Sequence, residues 1–453
     1  MSVQKPRFKR VLTRLDTVAL AFGAMIGWSW VLLTGAWIGS AGTLGAVIAF
    51  IGGGLVILCV ALTYAELASA MPSAGGEHVY SMRALGAGWS FVCSWAIIFG
   101  YMAVAAFEAV ALPYALAQFF PSINSGVLWV VAEWEVTIGF VASGIIASIV
   151  ITWVNVLGIR PAAFVQKVVT LGILLSGVVF LTGVTLNGDA ANFEPTFVDN
   201  YRGVFAVLVM VPIMFVGFDV IPQTAEEINL PFRTIGLLVV VSVVAAVLWY
   251  AVMIIGVGFS LDAGARADAA LTTADASGAV WNSGAARTLL IIGGIAGILT
   301  SWNAFILGAS RLVYAMAADG QLPKFLADIH PRYGTPYKAL ILLGLINCLS
   351  PWFGRPILVW LLNAGSFGVI VAYVLVTLSF LVLRFREPDL PRPYRLAFGK
   401  ILGGVAFVLS LAMTLLFLPG SPAALSWPNE WSICLIWVML GSLLWLARVR
   451  ENR

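Results

Sequence analysis

Apolar residues fill this chain in long blocks broken by short polar interruptions, and the blocks are too continuous for the two-residue alternation of half-buried strands. A helix needs roughly 20 apolar residues to cross a hydrocarbon layer. Twelve stretches qualify or come close: residues 16–39, 43–70, 88–118, 134–157, 161–186, 203–225, 234–259, 286–316, 337–353, 356–383, 400–419 and 429–447. Strands of a membrane barrel would alternate over about ten residues, and these stretches do not. The pattern predicts an all-α membrane protein with twelve transmembrane helices.

Composition sharpens this reading. Of 453 residues, 61% are hydrophobic and only 10% charged, with a mean hydropathy of +0.99, whereas soluble proteins carry about 25% charged residues. No polar linker divides the chain, so one membrane domain is expected. Positive loops are retained on the cytoplasmic side during insertion. With the N-terminus inside, every Lys and Arg except Arg202, Arg266, Arg287 and Arg355 falls on the inner face. That predicts a multi-pass protein of the cytoplasmic (inner) membrane, with residues 1–15 and the tail 448–453 both cytoplasmic. The net charge of +4 therefore reports topology. The basic residues are dispersed over separate loops, without the single patch that nucleic acid requires. The first apolar run has no small-residue cleavage site after it and reads as a signal anchor. Cys59, Cys93, Cys348 and Cys434 are widely spaced in apolar surroundings, which fits neither a disulfide framework nor a zinc site. His78 and His330 lie in short polar segments, so no hydrolytic constellation can be assembled inside the membrane.

Two spans are interrupted, the first at Gly23-Ala24-Met25-Ile26-Gly27 and the sixth at Val216-Gly217-Phe218-Asp219. Spans one to five cover 16–186 and spans six to ten cover 203–383, so each break opens a five-helix unit. This placement predicts a five-plus-five inverted repeat with broken helices 1 and 6, followed by two accessory helices over 400–447. An unwound stretch frees backbone groups that lipid cannot satisfy, so it persists only where it lines a cavity or grips a solute. Half-helix N-termini favour carboxylates, and freed carbonyls favour cations. The alternative is that the glycines only let helices pack closely.

Further motifs accompany the breaks: Tyr64-Ala65-Glu66-Leu67 before Met71-Pro72-Ser73-Ala74-Gly75-Gly76, Ala225-Glu226-Glu227 after Gly217-Phe218-Asp219, and the run from Arg311 through Asp319-Gly320-Gln321-Leu322-Pro323. On these residues the chain resembles the amino acid, polyamine and organocation permeases, a superfamily with the leucine-transporter-type fold, over nearly its whole length. The resemblance implies alternating access, a core of spans one to ten, and a substrate held between the broken helices. Ala24, Met25, Gly27, Trp28 and Ser29 of the first break, with Phe215, Gly217 and Asp219 of the second, are then the expected substrate contacts. Two departures stand out: Trp28-Ser29-Trp30 follows Gly27 where relatives carry small residues, and His78 replaces an aromatic after Gly75-Gly76. The outer segment from Phe119 to Glu133 has no Cys, so no disulfide-linked ancillary subunit is suggested.

Glu66, Glu108 and Asp219 fall within spans, where a carboxylate costs about 2.5–3.5 kcal/mol to insert. Glu66 lies near the inner end, where a structural role suffices. Glu108 either pairs with a substrate ammonium, titrates during transport, or is a protonated acid bonded to a neighbouring helix. Relatives place a gating or proton-relaying acid near Asp219. A cationic amine over Trp28 would gain roughly 0.5–2 kcal/mol.

Many relatives carry a fifth-span Lys in place of sodium; the matching position is near Ile173, and Lys167 lies closer to the inner loop. Thr300-Ser301 resembles the hydroxyl pair of sodium-coupled relatives, with Gly23 and Ile26 supplying carbonyls, which makes a sodium ion possible and no other cofactor expected. Proton coupling through Glu108 or Asp219 competes with it. The expected function is a secondary active transporter of an amino acid or related small amine, coupled to sodium or protons. A permease-like receptor that binds without transporting is the alternative. A channel would need rings of like charge, and none is seen. No nucleophile or metal-ligating residue lies near Glu108 or Asp219 in the sequence, so an enzyme is not expected.

Overall fold

The computed structural model describes residues 8–421 and 424–451. Lys5 and Arg7 of the expected N-terminal segment, and residues 452–453 of the expected tail, lie outside the described residues. The chain runs through α1 (Arg14–Met25), α2 (Ser29–Leu32), α3 (Thr34–Ala41), α4 (Thr43–Ala70), α5 (Glu77–Leu85) and α6 (Ala87–Leu116). A two-stranded antiparallel hairpin of β1 (Val127–Val131) and β2 (Trp134–Thr137) follows. Then come α7 (Ile138–Val156), α8 (Ile159–Asn187), α9 (Asn200–Met214), α10 (Val220–Gln223), α11 (Phe232–Ser260), α12 (Ala263–Asp268), α13 (Thr272–Val280) and α14 (Gly284–Ala318). The last four are α15 (Tyr337–Asn347), α16 (Ile357–Arg386), α17 (Gly399–Leu415) and α18 (Asn429–Glu451).

Eight of these helices are long and apolar enough to cross a membrane: α4, α6, α7, α8, α11, α14, α16 and α18. Shorter apolar helices are α9, α17 and the segment Tyr337–Phe353, which comprises α15 and a 3-10 turn. The first apolar block is divided among α1, α2 and α3. The bundle is therefore mostly helical, and its apolar exterior matches a lipid surroundings. The sequence pattern extends the fourth block back to residue 134, but residues 134–137 form β2. Alternation in Trp134-Glu135-Val136-Thr137 suits a strand, and Thr137 then caps α7, its hydroxyl accepting the Phe140 N–H at 3.4 Å.

Helix α1 begins at a capping box, with Thr13 and Asp16 each accepting the other's backbone N–H. It packs against α14, α8 and α11. Around this centre α4 lies along α11, and α6 along α16 and α14. Helices α6 and α14 are the most buried of the long helices, while α18 is mostly exposed. Two buried acidic groups at the basic end of the bundle have cationic partners. Glu66 meets Arg384 and, at 2.9 Å, Arg392, while Glu227 meets Arg311 at 2.7 Å with both side chains buried. The N-terminal strand of chain straps this end: the Val11 and Leu12 N–H groups donate to the Glu227 carbonyl at 2.8 and 3.0 Å.

Candidate functional site

Helix α1 stops at Met25, and Ile26–Trp28 is unwound before α2 resumes. The interruption leaves carbonyls without their usual partners four residues on, and side chains from two other helices supply donors. The Thr300 hydroxyl of α14 donates to Gly23 O at 2.9 Å, and the Tyr250 hydroxyl of α11 donates to Met25 O at 2.9 Å. The Gln166 amide of α8 donates to Ala19 O at 3.1 Å, one turn earlier. Ser29 lies 2.9 Å from the Tyr250 hydroxyl. The unwound backbone is thus held in a fixed shape by polar groups, as an apolar surrounding demands.

The second interruption has a different local cause. Pro212 sits inside the last turn of α9 and offers no N–H. The helix ends at Met214, and Phe215–Asp219 turns back with Gly217 at φ +131°. That conformation favours glycine. The space does too, because a Cβ on Gly217 would stand 2.5 Å from Ala24 Cβ and 3.0 Å from the Met25 nitrogen. The turn of the second break therefore packs against the last turn of α1, immediately before the first unwound stretch.

A cavity of about 40 Å³ lies against this junction, room for about three waters. Ala24, Met25, Gly27, Trp28 and Ser29 line it, which are the five contacts expected from the first span, and Glu108 joins them. Leu33, Val104, Phe107, Ile213, Met214, Val216, Ser301, Phe305 and Leu362 complete the wall. Glu108 is the one charged lining residue, and its carboxylate accepts a hydrogen bond from Ser301. A Cβ on Gly27 would stand 2.7 Å from that carboxylate, so the unwound backbone runs directly beneath it.

The other expected residues are placed elsewhere. Phe215 is buried in an aromatic cluster, 5.5 Å from Tyr250 and 6.3 Å from Phe50. Gly217 packs on the last turn of α1 rather than on the cavity. Asp219 is fully buried behind it, accepting the Gly217 N–H at 2.9 Å. Of the four residues expected around a sodium ion, Gly23 and Thr300 are bonded to each other, Ile26 packs its carbonyl on Gly297, and Ser301 faces Glu108. Tyr250 and Gln166, which donate to the α1 carbonyls of Met25 and Ala19, carry no signal in the sequence beyond being polar atoms in apolar runs. Phe107 and Phe305 are likewise indistinguishable there from core.

Long apolar helices enclosing two apposed unwound stretches define a multi-pass membrane protein built round a central buried site. The chain belongs to the amino acid permease family, whose model matches residues 12–440, within the superfamily that the motifs resemble. It is 28% identical to the branched-chain amino acid permease BcaP of Bacillus subtilis, over 98% of this chain and 94% of that one. It is 24% identical to the methylthioribose transporter of the same organism, again over 98% and 94%. Cationic amino acid transporter 4 of Homo sapiens is 28% identical over 86% of this chain and 62% of its own. The functional class is thus that of membrane permeases for amino acids and related solutes.

Proposed function

We propose that the protein is a secondary active transporter that imports an amino acid or related small amine by alternating access across the cytoplasmic membrane. The observation that carries this is the contact of the second break, at Gly217, with Ala24 in the last turn of α1, with a cavity beside it walled by both spans. A cavity of about 40 Å³ is smaller than any amino acid, so a substrate enters only when the breaks part and is enclosed when they meet. The reading takes twelve spans, a five-plus-five inverted repeat over 16–186 and 203–383, accessory helices over 400–447, and both termini cytoplasmic.

The wall favours an apolar substrate side chain, because all its positions but Ser29, Ser301 and Glu108 are apolar and Glu108 alone is charged. The similarity to a branched-chain amino acid permease supports the same choice. Glu108 faces the substrate ammonium, with Trp28 beside it. Protons are the preferred coupling ion. The Thr300 and Ser301 hydroxyls donate to Gly23 O and Glu108, so the oxygens that would hold sodium are engaged with one another, and Glu108 is a carboxylate on the wall itself. Leucine uptake into proteoliposomes under separate proton and sodium gradients tests this. Concentrative uptake with a proton gradient alone is expected; strict sodium dependence would overturn the coupling, and binding without flux would make the protein a receptor.

A further inference from the structure

At the basic end of the bundle a recess of about 260 Å³ opens between three separate parts of the chain. Lys9 comes from the N-terminal strap, Arg160 from the first turn of α8, and Arg332 from the loop between α14 and α15. No carboxylate lines it. Among the described residues none of these three cations has an acidic partner within salt-bridge reach. Three like charges facing one hollow repel each other, so an anion between them removes a cost that the protein alone carries.

The frame is rigid. The His330 N–H donates to Thr335 O, and the Gly334 N–H to His330 O, both at 2.8 Å. The Arg332 N–H donates to His330 Nδ1 at 3.2 Å. The buried Thr335 hydroxyl ties this loop to Val156 O at the end of α7, at 2.9 Å. Lys9 is drawn alongside, its Cε 3.9 Å from where a methyl on Gly334 would stand. Helix α8 enters from Gly158, at φ +129°, and its first N–H groups have no helical partner to serve. Pro161 at the third helical position removes one donor, and Ile159 and Arg160, whose N–H groups precede it, both line the recess. Three cations and a helix start, at the depth of the headgroups in the proposed orientation, match a phosphate in charge and in hydrogen-bonding capacity.

We propose that this recess binds a phosphate group, and that the ligand staples the N-terminal strap to α8 and the 330–335 loop. The same chemistry is offered by an anionic phospholipid headgroup and by a soluble phosphate. The experiment uses the full-length protein in two arms. In phosphatidylcholine nanodiscs doped with phosphatidylglycerol, the lipid retained on the released protein is counted by native mass spectrometry. In detergent, lipid-stripped protein is melted across a titration of inorganic phosphate. Preferential retention of phosphatidylglycerol with a flat phosphate titration identifies a lipid headgroup; the reverse identifies a soluble phosphate.

In whichever arm responds, the Lys9→Gln/Arg160→Gln/Arg332→Gln variant is expected to bind about a hundredfold more weakly, and Arg160→Gln alone about fivefold. The variant Arg10→Gln/Lys324→Gln/Arg386→Gln removes the same charge from the same end and is expected to bind as the parent does. The proposal falls if the parent shows no response in either arm, if the first variant matches the parent, or if both triple variants lose binding equally. Single Arg160→Gln keeps the test decisive should the triple variant fail to fold.

Discussion

Glu108 and Asp219 are both buried carboxylates near the breaks, yet they occupy different surroundings. Glu108 reaches the cavity and is bonded by Ser301, whereas Asp219 binds the Gly217 N–H and so helps to fix the turn of the second break. Glutamine at 108 retains an oxygen for Ser301, and asparagine at 219 retains one for Gly217. Both variants are expected to unfold within about 1 kcal/mol of the parent, the scale of one hydrogen bond, while Glu108→Gln loses proton-driven leucine accumulation. Calorimetry beside uptake assays checks this, and full accumulation by Glu108→Gln would remove it from the transport step. Glu108 and Trp28 were legible in the sequence because a charge or an indole inside an apolar run is conspicuous. Tyr250 was not, since a tyrosine in such a run is ordinary core until the fold hands its hydroxyl to Met25 O.

The breaks themselves belong to the scale of elements. Glycines inside apolar blocks located the second break, while the first was expected over 23–27 and lies at Ile26–Trp28, because Gly23, Ala24 and Met25 still complete the last turn of α1. Hydrophobic periodicity did not locate α5, α12 and α13, which are short and insufficiently apolar, nor the β1–β2 hairpin, where an apolar stretch continues into a strand. Contact of the second break with α1 needs glycine at 217. Gly217→Ala places a methyl against Ala24 at a backbone angle that L-residues rarely adopt, and is expected to cost about 1–3 kcal/mol and to abolish uptake. Gly404→Ala, in α17 with nothing near its Cβ, is expected to melt at or above the parent temperature. Equal behaviour of the two variants in a thermal melt would contradict a close approach at Gly217.

A second link between elements joins α5 to the end of α14. His78 Nε2 lies 3.0 Å from Asp319, and its Nδ1 lies 3.0 Å from both Ser90 and Ser94. The hydrogen bond from His78 holds the Asp319 carboxyl below its ordinary range. A lowered acid stabilises the fold in full above its unfolded value, about pH 4, and loses that contribution as pH falls through the lowered value. The melting temperature of the parent is therefore expected to drop more steeply than that of Asp319→Asn on acidification below about pH 4. Parallel curves would show that the pair contributes nothing.

At the scale of the whole molecule, the charge tally of the sequence is what predicts an orientation, and among the described residues Glu66, Glu227 and Glu387 pair with Arg384, Arg311 and Arg83. The contents of the central site were less legible, because which apolar side chains meet there depends on how helices from both halves cross. Transport by the proposed route requires the two breaks to enclose the passenger jointly. The most direct measurement introduces single cysteines at Ser29 and Val216, which line the cavity from the first and the sixth apolar block, in a protein whose four native cysteines are replaced by serine or alanine. Saturating leucine is expected to slow modification by a small thiol reagent at both positions. Unchanged rates at both, or protection on one wall alone, would contradict a site shared by the two breaks.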